Sequence, residues 1–451
     1  MKRILFLCSM MAFGVTMTDV RAQVYTEIMG GATTSRGIIR EQNISYYEDA
    51  NGQGVFVYLS AFSGNVNTIK TPPTWSIRDF HVVNRIAYFC GIDKSDRTAL
   101  LGHFDITNLQ TGSGSINFNR DINICPMMSI LNRLAVHKAK GNDTVSIMAI
   151  GRRGNGLDPD KYGADRVVYI KDYASMTGCI FRNPGNPNEL FWDVVLTNNY
   201  FVTAGADTVD KTLIMRRVPV GTVIPAFPAF FNNGYSYLCT NKFMSGVRAT
   251  HIENDDVVMA AYFDSQIDPR TWMHLFTIKV PGAVMLHHQH HLMSVYPNPT
   301  GRLLPPKEMV YMPNYSALMV IDTISALTHI SHIVRLNPYP IGIPIGSLYM
   351  PPFYRAGTII LNYLTIKYNS LTSISSTTCI AAAGGRWLKL DLSTLPLTPS
   401  STGCIEVETK DCFIDAEYPA MNINEGTSMS YGMAFISYPS DFSNEPLTNQ
   451  C

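Results

Sequence analysis

His81 and His251 each lie three residues before an asparagine, Asn84 and Asn254, at the end of a short apolar run. The carboxylates Asp79, Asp193, Glu253 and Glu308 occupy polar positions on comparable runs. Imidazoles and carboxylates that converge in one place can hold a metal ion or transfer protons. Asp79, His81, His251 and Glu253 are therefore the ligand-binding candidates. No catalytic residue, metal or cofactor follows from the motifs. Gly-x-Ser-x-Gly is missing, no phosphate loop follows Gly112-Ser113-Gly114-Ser115, and Asp158-Pro159-Asp160 opens a polar loop without EF-hand spacing.

Three other patterns carry possible chemistry. His287-His288-Gln289-His290-His291 would put His288 and His290 on one face of a strand. With no acidic residue within seven positions, the expectation there is a solvated edge loop. Asp143-Thr144-Val145, Asp207-Thr208-Val209 and Asp322-Thr323-Ile324 resemble the Asp-Ser/Thr-apolar acceptor of Bacteroidetes O-glycosylation and are expected at hairpin tips. Tyr296-Pro297-Asn298-Pro299-Thr300-Gly301 resembles the start of a type IX sorting domain. It lies 150 residues from the C-terminus, however, and reads as a turn-rich connection.

The elements that must position these residues are strands. Apolar runs are short, rich in Val, Ile, Tyr, Phe and Thr, and bounded by Gly, Asn, Asp and Pro. They recur. Val82-Val83-Asn84 leads into Arg85 to Gly91, then Asp93 and a strand from Thr98. Leu196-Thr197-Asn198 leads into Tyr200 to Gly205, then Asp207 and a strand from Thr212. Ile252-Glu253-Asn254 leads into Val257 to Ala261, then Asp264 and a strand with Thr271. Weaker copies start at Asn132, Asn314 and Asn369, and the six anchors average 57 residues apart. The first unit predicts strands at Trp75 to Val83, Arg85 to Cys90, Ala99 to Ile106 and Ser115 to Arg120.

A four-stranded antiparallel unit recurring at this period resembles the blade of a β-propeller. It lacks the Trp-Asp pair of WD40 repeats, the Gly-Gly of kelch repeats and the sialidase box. The resemblance implies an all-β fold, a single propeller most simply of seven blades, with six or eight as variants. Strands near Ile44 to Ala61 and near Ser428 to Tyr438 are expected to close the ring. Two β-sandwich domains are the competing architecture. On a propeller the strand before each Asn anchor is innermost, which would bring His81 and His251 to equivalent places on the axis.

The N-terminus reads as an export signal. Met1-Lys2-Arg3 precedes an apolar run from Ile4 to Val15, and Val20-Arg21-Ala22 offers a small-residue cleavage site. Cutting there makes residues 1–22 a signal peptide and 23–451 one propeller domain, placed in the periplasm, at the cell surface or outside the cell. Eight cysteines remain after Cys8 is removed, an even number that suits disulfides in an oxidising compartment. Cys404 and Cys412 are spaced for a hairpin staple. The Asn/Tyr/Thr-rich composition also resembles exported proteins of Bacteroidetes-type bacteria.

Thirty-five basic residues balance 35 acidic ones, and only 16% of the chain is charged. Nucleic-acid binding needs a basic face that this balance does not supply. No later apolar stretch is long enough for a membrane span. The expected protein is a monomer that binds a protein or glycan ligand. The alternatives are a carbohydrate-active hydrolase or lyase with an axial site, and a structural or adhesion component of the surface.

Overall fold

The computed structural model describes residues 25–29, 37–40, 44–49, 51–59, 66–121, 128–141, 143–154, 158–181, 187–209, 212–221, 234–238, 246–252, 256–265, 270–281, 284–295, 302–303, 306–312, 316–324, 329–336, 358–362, 370–373, 378–383, 386–391 and 404–406. Among them lie seven sheets, largely antiparallel and built mostly from neighbouring segments of the chain. Sheet one holds Gly37–Arg40, Ile44–Glu48, Gly54–Leu59 and Val66–Lys70. Sheet two holds Trp75–Val83, Ile86–Asp93, Thr98–Asp105 and Asn119–Arg120. Sheet three holds Ile130–Lys138, Val145–Arg152, Arg166–Asp172 and Thr177–Phe181.

Sheet four contains Glu189–Leu196, Tyr200–Asp207, Thr212–Pro219 and Gly234–Leu238. Sheet five contains Arg248–Ile252, Val257–Ser265, Arg270–Lys279 and Val284–Val295. In sheet six, Glu308–Met312 pairs with Ser316–Ile324, followed by His329–Leu336 and Thr358–Asn362. Cys404–Glu406 adds to that last strand in parallel. Sheet seven runs Ser370–Ser373, Thr378–Ala383, Arg386–Asp391, and its fourth strand is Tyr25–Met29 from the other end of the chain. The strand that completes sheet seven is thus Tyr25–Met29, whereas Ile44–Glu48 and Gly54–Leu59 lie inside sheet one. The strands expected near Ser428 to Tyr438 fall outside the described residues.

The first strand of each sheet packs against the first strand of the next, and Ser370–Ser373 also touches Gly37–Arg40. This arrangement of radial antiparallel sheets is a β-propeller and not a pair of sandwiches. The interfaces are apolar. Tyr46, Phe56, Phe80, Phe89 and Phe104 fill the space between sheets one and two. Tyr88, Cys90, Leu131 and Ile147 fill the space between two and three, and Val202, Ala204, Val258 and Ala260 the space between four and five. Burying one such large side chain contributes roughly 1.5–3 kcal/mol.

A bulge repeats in three of the innermost strands. Pairing slips between Ile77 and Asp79, between Leu131 and Arg133, and between Phe191 and Asp193. Each bulge faces a glycine on the second strand: Gly91, Gly151 and Gly205. A Cβ there would lie 2.0, 2.1 and 2.0 Å from the carbonyl oxygens of Ser76, Ile130 and Leu190. The extra residue bends the strand and re-aims the side chain that follows it.

The repeat anchors hold in part. Asn84 and Arg85 form the two-residue inner turn of sheet two, both with positive φ (48° and 70°), as the favoured hairpin turn requires. Asn198 lies in the matching turn of sheet four. Asn132, however, sits inside the innermost strand of sheet three, and Asn369 precedes the innermost strand of sheet seven. These two anchors were set one strand too early, because Leu-Asn or Tyr-Asn before an apolar run looks the same on either side of a strand. Asn254 and Asn314 lie outside the described residues. Asp93 pairs with Thr98 and Asp207 with Thr212 across the second hairpin, but in sheet five Thr271 pairs with Ser265, one residue past Asp264.

Candidate functional site

The innermost strands enclose an axial cavity of about 460 Å³. Asp79, His81, Arg133, Asp193, Thr250, His251, Glu308, Tyr311 and Thr372 supply its polar lining, with valines between them. Three of the four predicted site residues, Asp79, His81 and His251, therefore meet there. Glu253 lies outside the described residues. The sequence reading missed Arg133, Arg248, Thr250, Tyr311 and Thr372. An apolar-x-charged triplet faced by a downstream glycine was the usable signal: Ile77-Arg78-Asp79 with Gly91, Leu131-Asn132-Arg133 with Gly151, Phe191-Trp192-Asp193 with Gly205.

One end of the cavity is a buried ion network. Asp79 Oδ1 accepts from the Phe80 N–H at 2.9 Å, and its Oδ2 accepts from the Leu134 N–H of the next sheet at 3.1 Å. Asp193 repeats this geometry two sheets on: Oδ1 accepts from Val194 N–H at 3.0 Å and Oδ2 from Ala249 N–H at 2.9 Å. Each carboxylate pins its own bulge and the neighbouring innermost strand. The residue before each cross-sheet donor is an arginine, Arg133 or Arg248. From sheet two to sheet six, acid and base thus alternate as Asp79, Arg133, Asp193, Arg248 and Glu308.

The arginines reach across to sheet six. Arg133 donates through Nη1 to Glu308 Oε2 at 3.0 Å and through Nη2 to the Lys307 carbonyl at 2.9 Å. Arg248 donates through Nε to the same carbonyl at 2.6 Å and through Nη1 to the Trp192 carbonyl at 2.9 Å. Burial opposes the Arg133 charge, but Glu308, Asp193 and Asp79 outweigh it and hold the guanidinium well above its ordinary pKa. Burial raises Asp193 above the usual carboxylate range, against the pull of Arg133 and Arg248. Arg248 is lowered, first by burial and then by Arg133.

A short helix is tied to that end. The segment expected as a polar loop at Asp158-Pro159-Asp160 is a one-turn helix, Pro159–Tyr162, whose N-cap Asp158 accepts from the Asp160 N–H at 3.1 Å. Pro at the first turn and Asp at the cap favour this start. Asp160 lies 3.4 Å from Asn132 Nδ2 and 3.7 Å from Arg248 Nη2, and Asp158 lies 3.9 Å from Arg78 Nη1. The helix thereby ties together sheets two, three and five at the rim where the innermost strands begin.

Toward the opposite rim, the strands carry His81, Thr250, His251, Tyr311 and Thr372. His81 and His251 are not equivalent, contrary to expectation. His81 pairs with Tyr88, which packs toward sheet three; His251 pairs with Val258, which packs toward sheet four. Directly paired residues share a face, so His81 turns to the following sheet and His251 to the preceding one. Counting from Asp79 and Arg248, Thr250 is the counterpart of His81. The inner turn of sheet five is longer than that of sheet two, and counting back from Asn254 introduced the one-residue slip. A clamp closes this rim between sheets four and five. Asp256 accepts from Thr197 Oγ1 at 2.7 Å, Asn199 N–H at 2.8 Å and Asn199 Nδ2 at 2.7 Å. Burial alone would raise Asp256, but these hydrogen bonds hold it below the ordinary value.

The remaining predicted motifs stand apart from the cavity. His287 to His291 belong to Val284–Val295, the outermost strand of sheet five, and not to a loop. Asp207 lies at the second hairpin of sheet four, Asp143 at the inner turn of sheet three, and Asp322-Thr323 within a strand of sheet six, so the three triplets do not share one kind of tip. Residues 296–301 lie outside the described residues. Cys379 is a free, buried thiol whose pKa burial raises well above its ordinary value. Cys412, the proposed partner of Cys404, is outside the described residues. No helix among the described residues is long and apolar enough to cross a membrane.

No protein family and no curated protein matches this chain. Several solved structures resemble it at low identity. The Dos1 propeller aligns at 10% identity over 80% of this chain and 77% of its own, with a TM-score of 0.43. The WD40 β-propeller domain of Doa1 aligns at 9% identity over 84% and 99%, with a TM-score of 0.41. YCF48 from Cyanidioschyzon merolae aligns at 8% identity over 82% and 100%, with a TM-score of 0.45. The propeller assignment rests on the sheet order and packing described above.

Proposed function

We propose that the chain is a seven-bladed β-propeller that binds a protein or glycan ligand at the open mouth of its axial cavity. The contact of Ser370–Ser373 with Gly37–Arg40, and the pairing of Tyr25–Met29 in sheet seven, support closure of the ring. The observation that carries the binding reading is the cavity's two-ended construction. Its ion network is engaged internally and tied to the Pro159–Tyr162 helix through Asp160, while toward its other end the lining is His81, Thr250, His251, Tyr311 and Thr372. Concave sites of a few hundred Å³ with a few fixed polar groups are the usual form of a ligand pocket.

The same construction weighs against the hydrolase alternative. Glycoside hydrolysis needs two carboxyl groups facing the bond to be cut. Asp79 and Asp193 instead each accept two backbone N–H groups. The basic start, apolar run and small-residue site of residues 1–22 support export, which would place the mouth in the periplasm or outside the cell.

Filling the cavity tests the binding reading. Val195, half-buried and lining the cavity, is replaced by Trp, and both proteins are cross-linked in the native host's envelope. Wild type should form discrete adducts that the V195W variant loses. Undiminished adducts in the variant would overturn an axial site.

A further inference from the structure

The histidines of His287-His288-Gln289-His290-His291 lie on Val284–Val295, the outermost strand of sheet five, and the strand divides them. Successive residues of a strand fall on opposite faces, so His288 and His290 share one face and His287 and His291 the other. Pairing with the third strand says which is which. His288 lies opposite Phe276 and His290 opposite His274, and His274 in turn lies opposite Tyr262. Phe276 and Tyr262 belong to the core between sheets four and five. His274, His288 and His290 therefore occupy one face, the one turned to sheet four. The spacing of the run offers two imidazole positions on a face, and the register adds a third from the neighbouring strand.

We infer that these three histidines form a binding site for a divalent metal ion of the zinc class, at the outer edge of the cleft between sheets four and five. Directly opposed residues have Cβ atoms about 4.5–5.5 Å apart, and residues two apart on one strand lie about 7 Å apart. Imidazoles at that spacing can share one metal at about 2.0–2.1 Å from each nitrogen. Neutral nitrogen ligands suit zinc, copper or nickel, whereas calcium and magnesium take oxygen. One ligand position is already fixed. His274 is 5% exposed, and its ring stacks on Tyr262 with centroids 5.0 Å apart and planes 5° from parallel. The other two positions belong to the perimeter strand, which leaves a fourth coordination position to water, the usual form of an open zinc site. The outermost strand of sheet four, Gly234–Leu238, brings no basic residue against the ion.

Zinc(II) itself is the probe, titrated into the untagged full chain, stripped of metal by a chelator, against a chromophoric competitor. One ion per chain should bind. His288→Ala and His290→Ala should each weaken it at least tenfold. His287→Ala and His291→Ala remove as many imidazoles from the opposite face and should change it less than twofold. The metal-free melting temperature checks the fold of each variant. His274→Gln should also weaken binding at least tenfold. Because His274 is buried and its variant can fail to fold, X-ray absorption at the zinc edge of the wild-type complex counts the coordinated imidazoles independently, and three are expected. No one-to-one complex at micromolar zinc, equal losses from the two faces, or fewer than three coordinated imidazoles would overturn the site. None of these measurements involves the axial cavity, so the metal site stands or falls apart from ligand binding there.

Discussion

The two ends of the axial cavity are built from the same strands and differ in almost everything else. At the closed end, acid and base alternate on consecutive strands, and each charge holds a backbone group or another charge. Toward the other end the lining is imidazole, hydroxyl and phenol groups, and Asp256 serves a clamp between two turns. The contrast teaches that charge near a propeller axis need not signal a ligand. Here Asp79 and Asp193 do the work of strand connectors.

The sharpest way to break this contrast is at the closed end. Arg133→Met strands Glu308 without its partner in a buried site, which should cost about 3–5 kcal/mol. Chemical denaturation should show the midpoint falling steeply; a loss within 1 kcal/mol would mean the network is ornamental to stability. Next comes the bulge. Gly205→Ala places a Cβ against the Leu190 carbonyl, and overpacking of this kind costs roughly 1–3 kcal/mol. Gly141→Ala, at φ +83° but with nothing within 4 Å, should cost less, about 1 kcal/mol. Equal thermal shifts for the two would show that the close approach at the bulge costs no more than a strained turn in open space.

The two ends also titrate in opposite senses. Asp256 is depressed, so its contribution is present above the ordinary carboxylate value and is lost as pH falls through its lowered pKa. Asp193 is raised, so its ionisation costs stability as pH climbs from the ordinary carboxylate value through the raised one. Asp256→Asn should therefore lose about 1–2 kcal/mol at neutral pH and converge with wild type in acid. Unfolding curves at a series of pH values check this; a constant gap would exclude the clamp's ionisation as its source. The smallest effect belongs to the mouth. His81→Ala should change stability by no more than about 0.5 kcal/mol while weakening the envelope adducts.

Much of the architecture was legible, and the reason is local. Trp75–Val83 matches its predicted span because an alternating apolar run ends at Asn84, whose turn requirement is written in the sequence. The alternation of strand and turn was sufficient for a propeller. Site residues were legible only where they kept their spacing from such a turn, as Asp79 and His81 did. His251 was placed on the wrong face because Asn254 lies one position further from its strand end than Asn84 does, and a one-residue shift moves a side chain to the other face. Arg133 escaped notice for a different reason, one that Arg248, on a strand in regular register, does not share. The bulge adds a residue to the strand, so the charge appears out of phase and reads as solvent-facing. Its partner glycine sits 14 to 20 residues downstream, and only the fold brings the two together.

Sheet seven joins the beginning of the described chain to its far end, with Tyr25–Met29 lying against Arg386–Asp391. A chain made from its N-terminus releases that strand about 360 residues before the segment it needs. Until then the strand has no partner, and the sheets between must assemble around an axis not yet enclosed. Pairing at such sequence distance is slow to form, so this seam should be the last event of folding. It is also the first place to open under load. Trimming past Tyr25 would leave Arg386–Asp391 as a bare edge, the kind of surface on which one molecule recruits a strand from the next. The tendency of a molecule to self-associate can thus be read from the state of Tyr25–Met29.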